Sequence, residues 1–570
     1  MYRGYTGQMS IMGSGGGWLG GYLRAQGSDA ADDQRAERNK KPSGRRWPGL
    51  RAPEIWGIII CSCCCYSVTM SPALILVAAL LLSLLFVFVR TRKRKDGEPP
   101  LENGWIPHLG CALDFGRNPL EFLRLRRKKY GDIFTCKIVG DYFHFIADPF
   151  SYNSMTRAGR HLDSKKLQYE TAAKVFGYRN MDPKFGFTGE DLHQTFHKTL
   201  QGDALDPVTE SMMENLREAI SNNERVKPNL EWKEDELFSF CSRIMFEAGY
   251  LTLFGKEAQT CGVNKILTLS NTFEQFKNFD KIFPTLVAGV PIRLLRRGYK
   301  AREILADIHR QGKLKKRENM SALISLRILL NDTVSIYEEV EKAGTHVAML
   351  WASQANSLPA AFWSLYYVLR SPEALKALRS EIQKLIQDTK QSTGLNGKLR
   401  LTREEIDSLP ILNSSIKEAL RLSSASLHFR IAKEDFDLVM DSGEAYHIRK
   451  GDGIAVYPPL IHFDPNIYEQ PEEFIFNRFL DENGHEKTSF SLGERKIKNY
   501  WLPFGSGVAQ CPGRYFAVNE VKQFMIVMLT YYDLQLLDPE SKVPPPDKTR
   551  AGIGIIHPES EVMFKYKLQP

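Results

Sequence analysis

Two runs of apolar residues dominate the first hundred positions. Residues 55–65 are almost wholly apolar, and Pro72–Val89 is apolar again with Ser83 as its one polar member. The second run is 18 residues long, about 27 Å as a helix and close to the minimum for a bilayer span. Arg90, Arg92, Lys93, Arg94 and Lys95 follow at once. That order predicts an uncleaved membrane anchor over residues 53–95 with the downstream body kept in the cytosol. A buried core helix would not be all apolar and then abruptly basic, and no small-residue cleavage site marks a signal peptide. The first run either lies in the interface or pairs with the second as a hairpin. Residues 96–104, with Gly97, Pro99, Pro100 and Gly104, form a stiff, turned hinge. Beyond it, helical periodicity prevails over residues 210–219, 340–369, 372–387 and 403–422, with short strand-like runs at 142–147 and 453–457. The pattern predicts one mainly α domain with small β-sheets over residues 105–570.

Composition supports a large packed core: of 570 residues, 43% are hydrophobic and 25% charged. The net charge of +9 suggests a polyanion partner until it is located. Residues 1–95 hold 14 Lys/Arg and 5 Asp/Glu, so this segment carries the whole excess and the body is balanced. A nucleic-acid partner is therefore excluded as an expectation. Residues 1–52 are rich in Gly, Ser, Arg and Asp without apolar periodicity, which predicts a disordered leader. Asp29, Asp32, Asp33 and Glu37 argue against a mitochondrial transit peptide. The nine cysteines are odd in number, and Cys61, Cys63, Cys64 and Cys65 crowd into the first apolar run, which is no disulfide framework.

The sharpest chemical signal is Phe504-Gly505-Ser506-Gly507-Val508-Ala509-Gln510-Cys511-Pro512-Gly513, followed by an amphipathic helix from Tyr515. A cysteine at the mouth of a helix has its thiolate favoured by unpaired backbone N–H groups. Glycines at 505, 507 and 513 let the backbone pass close to something flat. Such a thiolate is a metal ligand or a nucleophile, and no second cysteine offers zinc spacing. Upstream, Glu418 and Arg421 share one face of a helix that opens near Thr402. Alone this pair is weak. Between it and Cys511, the segment 471–479 places Arg478 in an apolar, loop-like frame.

The cysteine motif, the Glu-x-x-Arg pair and the Pro-x-x-Phe-x-x-x-Arg-Phe segment, in that order, resemble a cytochrome P-450, a haem-thiolate monooxygenase. The resemblance implies haem b with Cys511 as the axial ligand to iron, and Phe504, Gly507 and Gly513 shaping the loop against the haem. It implies that Glu418, Arg421 and Arg478 form a buried ionic network fixing that loop. It also implies electrons from NADPH through a partner reductase, and residence in the endoplasmic reticulum membrane. The segment 351–357 then falls on the distal haem face, where the superfamily usually has an acid and a threonine for proton delivery. Here Ala355 stands for the acid and Asn356 for the threonine, and Pro359 predicts a kink that frees the Ala355 carbonyl. That carbonyl and the Asn356 amide are expected to hold a water. Ala509 replaces a usual propionate-pairing basic residue, and Arg430 and Lys198 are the candidate propionate partners.

These departures resemble the sterol 7α- and 12α-hydroxylase and prostacyclin synthase branch, with likeness through residues 97–104, 199–202, 209–216, 246–255, 350–356, 420–436 and 551–555. The branch implies a sterol substrate, most directly cholesterol hydroxylated at 7α as the entry step to bile acid synthesis. Oxysterol 7α- or sterol 12α-hydroxylation and a prostacyclin-synthase-like isomerisation are the alternatives. By the same likeness the steroid pocket involves Trp351, Ala352, Ser353, Gln354, Asn356, Ser424, Ser426, Leu427 and Gly552. Independently, residues 282–292 are apolar and are followed by Arg293, Arg296 and Arg297, a pattern suited to a surface dipping into a membrane.

Overall fold

The computed structural model describes residues 72–89, 92–163, 165–179, 189–222, 231–258, 265–392, 399–507 and 510–569. The leader 1–52, the apolar run 55–65 and Ala509 lie outside these described residues. Two compact units divide the chain, the first holding the helix Pro72–Val89 and the second the body from Lys93 onward. Leu76, Leu80, Leu81, Leu82 and Leu85 are exposed along that first helix. Among the described residues no helix is long and apolar enough to cross a membrane. Pro72–Val89 stops at 18 residues, the short edge of the roughly 17–25 that a hydrocarbon core takes.

The body is mainly helical with small sheets. At its centre runs Ser357–Arg370, buried over its whole length except Arg370, because Leu358, Ala361, Phe362, Leu365 and Val368 leave it no polar face. It packs against Leu237–Phe254, Pro410–Ser423 and Arg514–Tyr531. Two long helical patterns are each broken, the first near the kink that Pro359 predicts. The 340–369 pattern divides into Glu339–Gln354 and Ser357–Arg370, since Pro359 has no N–H for the carbonyl of Ala355. The 403–422 pattern divides into Arg403–Asp407 and Pro410–Ser423, with Pro410 seated in the first turn of the second.

The largest sheet has six strands, in the order Leu101–Glu102, Ile133–Ile138, Asp141–Ile146, Gly453–Val456, His428–Ala432, Leu162–Asp163. His428–Ala432 leaves the Pro410–Ser423 helix after a four-residue link and pairs antiparallel with Gly453–Val456, His428 opposite Val456. This carries the Glu-x-x-Arg helix straight into the sheet. A second sheet joins Tyr532–Leu536, Met563–Leu568 and Lys233–Glu236. The chain returning to Met563 first lays residues 550–557 across the broken helix. That crossing builds the candidate site.

Candidate functional site

The cysteine loop turns on two glycines in the left-handed region, Gly505 at φ 75° and Gly507 at φ 63°. A Cβ on Gly507 would meet the Thr156 methyl at 3.0 Å. The Cys511 N–H donates to the Phe504 carbonyl at 2.8 Å, closing the loop ahead of the helix Arg514–Tyr531. Burial pushes the Cys511 thiol up, with the Gly513 N–H and then Arg514 pulling the other way. A metal bound there therefore displaces a proton from sulfur.

Beneath that loop lies the ionic network. Glu418 and Arg421 are fully buried. Arg421 forks onto Glu418 at 2.7 and 2.9 Å, and Arg478 Nε donates to the same carboxylate at 2.7 Å. The spare donors are used too: Arg421 reaches the carbonyls of His462 and Pro471, and Arg478 those of Gln470 and Glu473. The His462 ring in turn accepts the Leu502 N–H at 3.0 Å, so the network connects through His462 to the start of the cysteine loop. Taking three charges out of water offsets most of their attraction, so the arrangement specifies geometry more than it adds stability.

On the other side, residues 550–557 form a strap that gathers side chains from three segments. The Asn356 Oδ1 accepts the Ile555 N–H at 2.9 Å. The Ala355 carbonyl faces His557 Nε2 at 3.4 Å. Ser424 bridges to Ile555 and Ser426 to Gly552, and the Leu427 N–H donates to the Gly552 carbonyl at 3.3 Å. Gly554 has to be glycine, because a Cβ there would lie 1.8 Å from the Asn356 Oδ1. The Ala355 carbonyl and the oxygen of the Asn356 amide, expected to help hold a water, are thus engaged with the strap. The Asn356 NH2 has no partner among the described residues.

The structure therefore brings together Ala355, Asn356, Ser424, Ser426, Leu427 and Gly552. The Ser424 and Ser426 hydroxyls are buried without partners among the described residues. Trp351 joins them through Asp280 and Arg550, treated below. Ala352 and Ser353 are half-buried on the same helix, with the Ser353 hydroxyl bonded to the Leu350 carbonyl at 3.0 Å. Gln354 turns elsewhere, its amide 2.8 Å from where a Cβ on Gly249 would sit, against the helix Leu237–Phe254. Lys198 is exposed at the end of Gly189–Thr199. Arg430 is half-buried, lowered to about 10 by burial, and has no carboxylate partner among the described residues. On the same strand face, His428 Nε2 is buried without a partner.

Sequence reasoning passed over Ser357 and Glu520. The Ser357 hydroxyl donates to the buried Glu520 carboxyl, which burial pushes up to about 8. Glu520 sits in the helix that begins just after Cys511, and its spacing from the cysteine was the available signal. Asp280, Arg550 and Ile555 carried no local signal, since their partners lie far away in the chain.

The sequence model of the cytochrome P-450 family matches residues 99–566. The chain belongs to the cytochrome P-450 family. It is 48% identical over 517 residues to the cholesterol 7-alpha-monooxygenase of Cricetulus griseus, covering 90% of this chain and 98% of that protein. It is 36% identical over 488 residues to the 7-alpha-hydroxycholest-4-en-3-one 12-alpha-hydroxylase of Homo sapiens, covering 84% and 94%. A third relative, the 5-beta-cholestane-3-alpha,7-alpha-diol 12-alpha-hydroxylase of Sus scrofa, is 35% identical over 491 residues, covering 84% and 94%.

A cytochrome P-450 carries haem held by a thiolate, and this chain's residues fit that group. A thiol stands at a glycine-opened loop, and Arg430, a cation without a carboxylate partner among the described residues, stands on the strand His428–Ala432. Unpartnered polar atoms at Ser424, Ser426 and His428 extend along one stretch of chain. A flat, iron-bearing ligand with two carboxylates suits that donor set.

Proposed function

We propose that this cytochrome P-450 is a membrane-bound monooxygenase that hydroxylates cholesterol at the 7α position, the entry step to bile acid synthesis. The observation that carries the reading is the 48% identity to a cholesterol 7-alpha-monooxygenase over 98% of its length. The strap supports it, because it joins Asn356, Ser424, Ser426, Leu427 and Gly552, five of the residues that the likeness assigns to the steroid pocket. In this reading Cys511 ligates the haem iron, Phe504, Gly507 and Gly513 shape the loop against it, and Arg430 pairs with a propionate. Lys198, exposed as it is, is the weaker propionate candidate. When bound, the haem supplies the activation of dioxygen at its iron.

The chain's own residues do the rest. Trp351, Ala352, Ser353, Leu427 and Gly552 wall the sterol, and the hydroxyls of Ser424 and Ser426 offer it hydrogen bonds. Gln354 supports the helix from behind. The Asn356 NH2 holds a water that delivers protons, the role usually given to a threonine. The strap itself excludes bulk water from that face.

Electrons come from NADPH through a partner reductase docking on the cysteine side. A cleft of about 700 Å³ there is lined by Arg403, Asp407, Lys417, Gln510, Arg514 and Lys522; although Arg403, Lys417 and Lys522 are ion-paired to Asp206, Glu486 and Asp407, its cations outnumber its one lining carboxylate, which suits an acidic partner. Pro72–Val89 anchors the chain in the endoplasmic reticulum membrane, and the apolar-then-basic segment 282–297 dips into the same surface, where a lipid-dissolved sterol enters. The test is product identification with purified full-length protein, reductase and NADPH, presenting cholesterol, an oxysterol, a 7α-hydroxylated sterol and a prostaglandin endoperoxide separately. NADPH-dependent 7α-hydroxycholesterol is expected. A 12α-hydroxylated product, or endoperoxide isomerisation without NADPH, would replace the reading.

A further inference from the structure

The helix Lys265–Asp280 ends on a carboxylate that ties three distant segments together. Asp280 Oδ1 accepts the indole N–H of Trp351 at 2.8 Å and Arg550 Nη2 at 3.1 Å, while Oδ2 accepts Arg550 Nη1 at 3.0 Å. All three side chains are buried. Three residues on, Phe283 lies flat against the same indole, the ring centroids 3.6 Å apart and the planes 14° from parallel. Residues 280–283 thus hold Trp351 by edge and by face. Phe283 opens the short helix Phe283–Val287, the beginning of the apolar stretch that ends in Arg293, Arg296 and Arg297.

We propose that Asp280 is a positioning residue of the sterol chamber, a latch that fastens the 280–297 segment to the Trp351 indole and to the strap. A sterol enters or leaves when that latch opens. The inference rests on the sterol reading above. Trp351 is fixed inside the helix Glu339–Gln354 and cannot travel with the segment. Any outward movement of residues 280–297 therefore breaks the indole hydrogen bond and the ring stack together. It also strands the buried Arg550, whose Nε already lacks a partner among the described residues. Such a contact is held or lost as a unit rather than stretched. A buried Asp–Arg pair adds little net stability, and it is better explained by the geometry it enforces.

The experiment measures sterol dissociation from haem-loaded, full-length protein by stopped flow, following the spin-state change of the haem with cholesterol as the probe. Asp280→Asn keeps the volume and removes the charge. It is expected to speed dissociation about tenfold or more and to raise KM with a smaller change in kcat. Trp351→Phe, which keeps an aromatic ring against Phe283 but loses the N–H and part of the stacked surface, is expected to move the same way, and it carries the test if Asp280→Asn does not fold. Wild-type dissociation rates and KM in the variants that fold would overturn the latch while leaving the sterol reading intact. A wild-type protein that shows no spin-state response to cholesterol would instead overturn the sterol reading and the latch with it.

Discussion

The two sides of the cysteine–strap region treat buried polar groups in opposite ways. Around Glu418, each charged side chain spends its donors and acceptors inside the protein: Arg421 and Arg478 share one carboxylate, and their remaining N–H groups reach backbone carbonyls. Around the strap, among the described residues, Ser424, Ser426 and His428 leave polar atoms buried and unpaired, and the Asn356 NH2 has no partner. Buried polar groups left unmatched are costly. The difference teaches that the ion network is finished scaffold, with the His462 Nδ1 beside it unmatched among the described residues, whereas the strap side is completed by what binds there. Substitutions on the two sides should therefore fail differently.

The largest effect is expected on the scaffold side. Arg421→Ala leaves Glu418 buried beside a single remaining arginine, which costs about 3–5 kcal/mol. Expression of a soluble but haem-free or unfolded chain, read by thermal unfolding and haem absorbance, is the expected outcome. A variant of near wild-type stability would erase the contrast between the two sides.

On the strap side the fold should survive and function should not. Asn356→Leu, close in volume but unable to hydrogen-bond, should keep haem and sterol binding while slowing product formation about 10²-fold and diverting NADPH electrons to peroxide. Because Asn356 also accepts the Ile555 N–H, Gly554→Ala serves as its companion. Its Cβ would drive the Asn356 side chain aside without altering its chemistry, so it should reproduce the uncoupling. An unchanged product-per-NADPH ratio in Asn356→Leu would reduce the residue to packing.

A smaller, pH-dependent effect is expected at Glu520. Its carboxyl is pushed up to about 8 by burial, so between the ordinary carboxylate range and about pH 8 the unfolded chain has lost a proton that the folded chain keeps. Stability contributed by the neutral form is accordingly lost as pH rises across that window. Glu520→Gln should melt higher than wild type at pH 8, with the advantage shrinking toward pH 5. A difference independent of pH would mean that the carboxyl is ionised in the fold.

The least change should come from the N-terminal segment. A chain beginning at Asp96 should still bind haem and lose most, though not all, membrane affinity in a flotation assay. If the basic cluster after Val89 keeps the body in the cytosol, as the positive-inside rule predicts, the sequons at Asn319, Asn331 and Asn413 should carry no sugar. Asn331 is in any case buried and bonded to Thr345 at 2.8 Å. A glycosidase-sensitive mobility shift would reverse the topology.

What was legible in the sequence follows the same division. The cysteine loop and the Glu418 pair are marked by local spacing, glycines and one helix face, and the structure places them as that spacing requires. The break after Gln354 was legible because proline has a fixed local consequence. The strap was half visible: Gly552 came from likeness alone, while Ile555 meets Asn356 only through a contact spanning 199 residues. The Asp280–Arg550 pair spans 270, and no periodicity encodes such a partner. The water site at Asn356 shifted in detail, because the strap engages the Ala355 carbonyl and the oxygen of the amide that were expected to help form it.

The central claim is that Cys511 presents a thiolate to haem iron from a loop held by the finished side of the molecule. The most direct measurement is the carbonyl difference spectrum of the reduced, haem-loaded protein, recorded for wild type and for Cys511→Ser. A serine alkoxide is not accessible at neutral pH, so the account predicts a thiolate-type Soret band in wild type and its complete absence, with all turnover, in the variant. A thiolate-type band that persists in Cys511→Ser would contradict it.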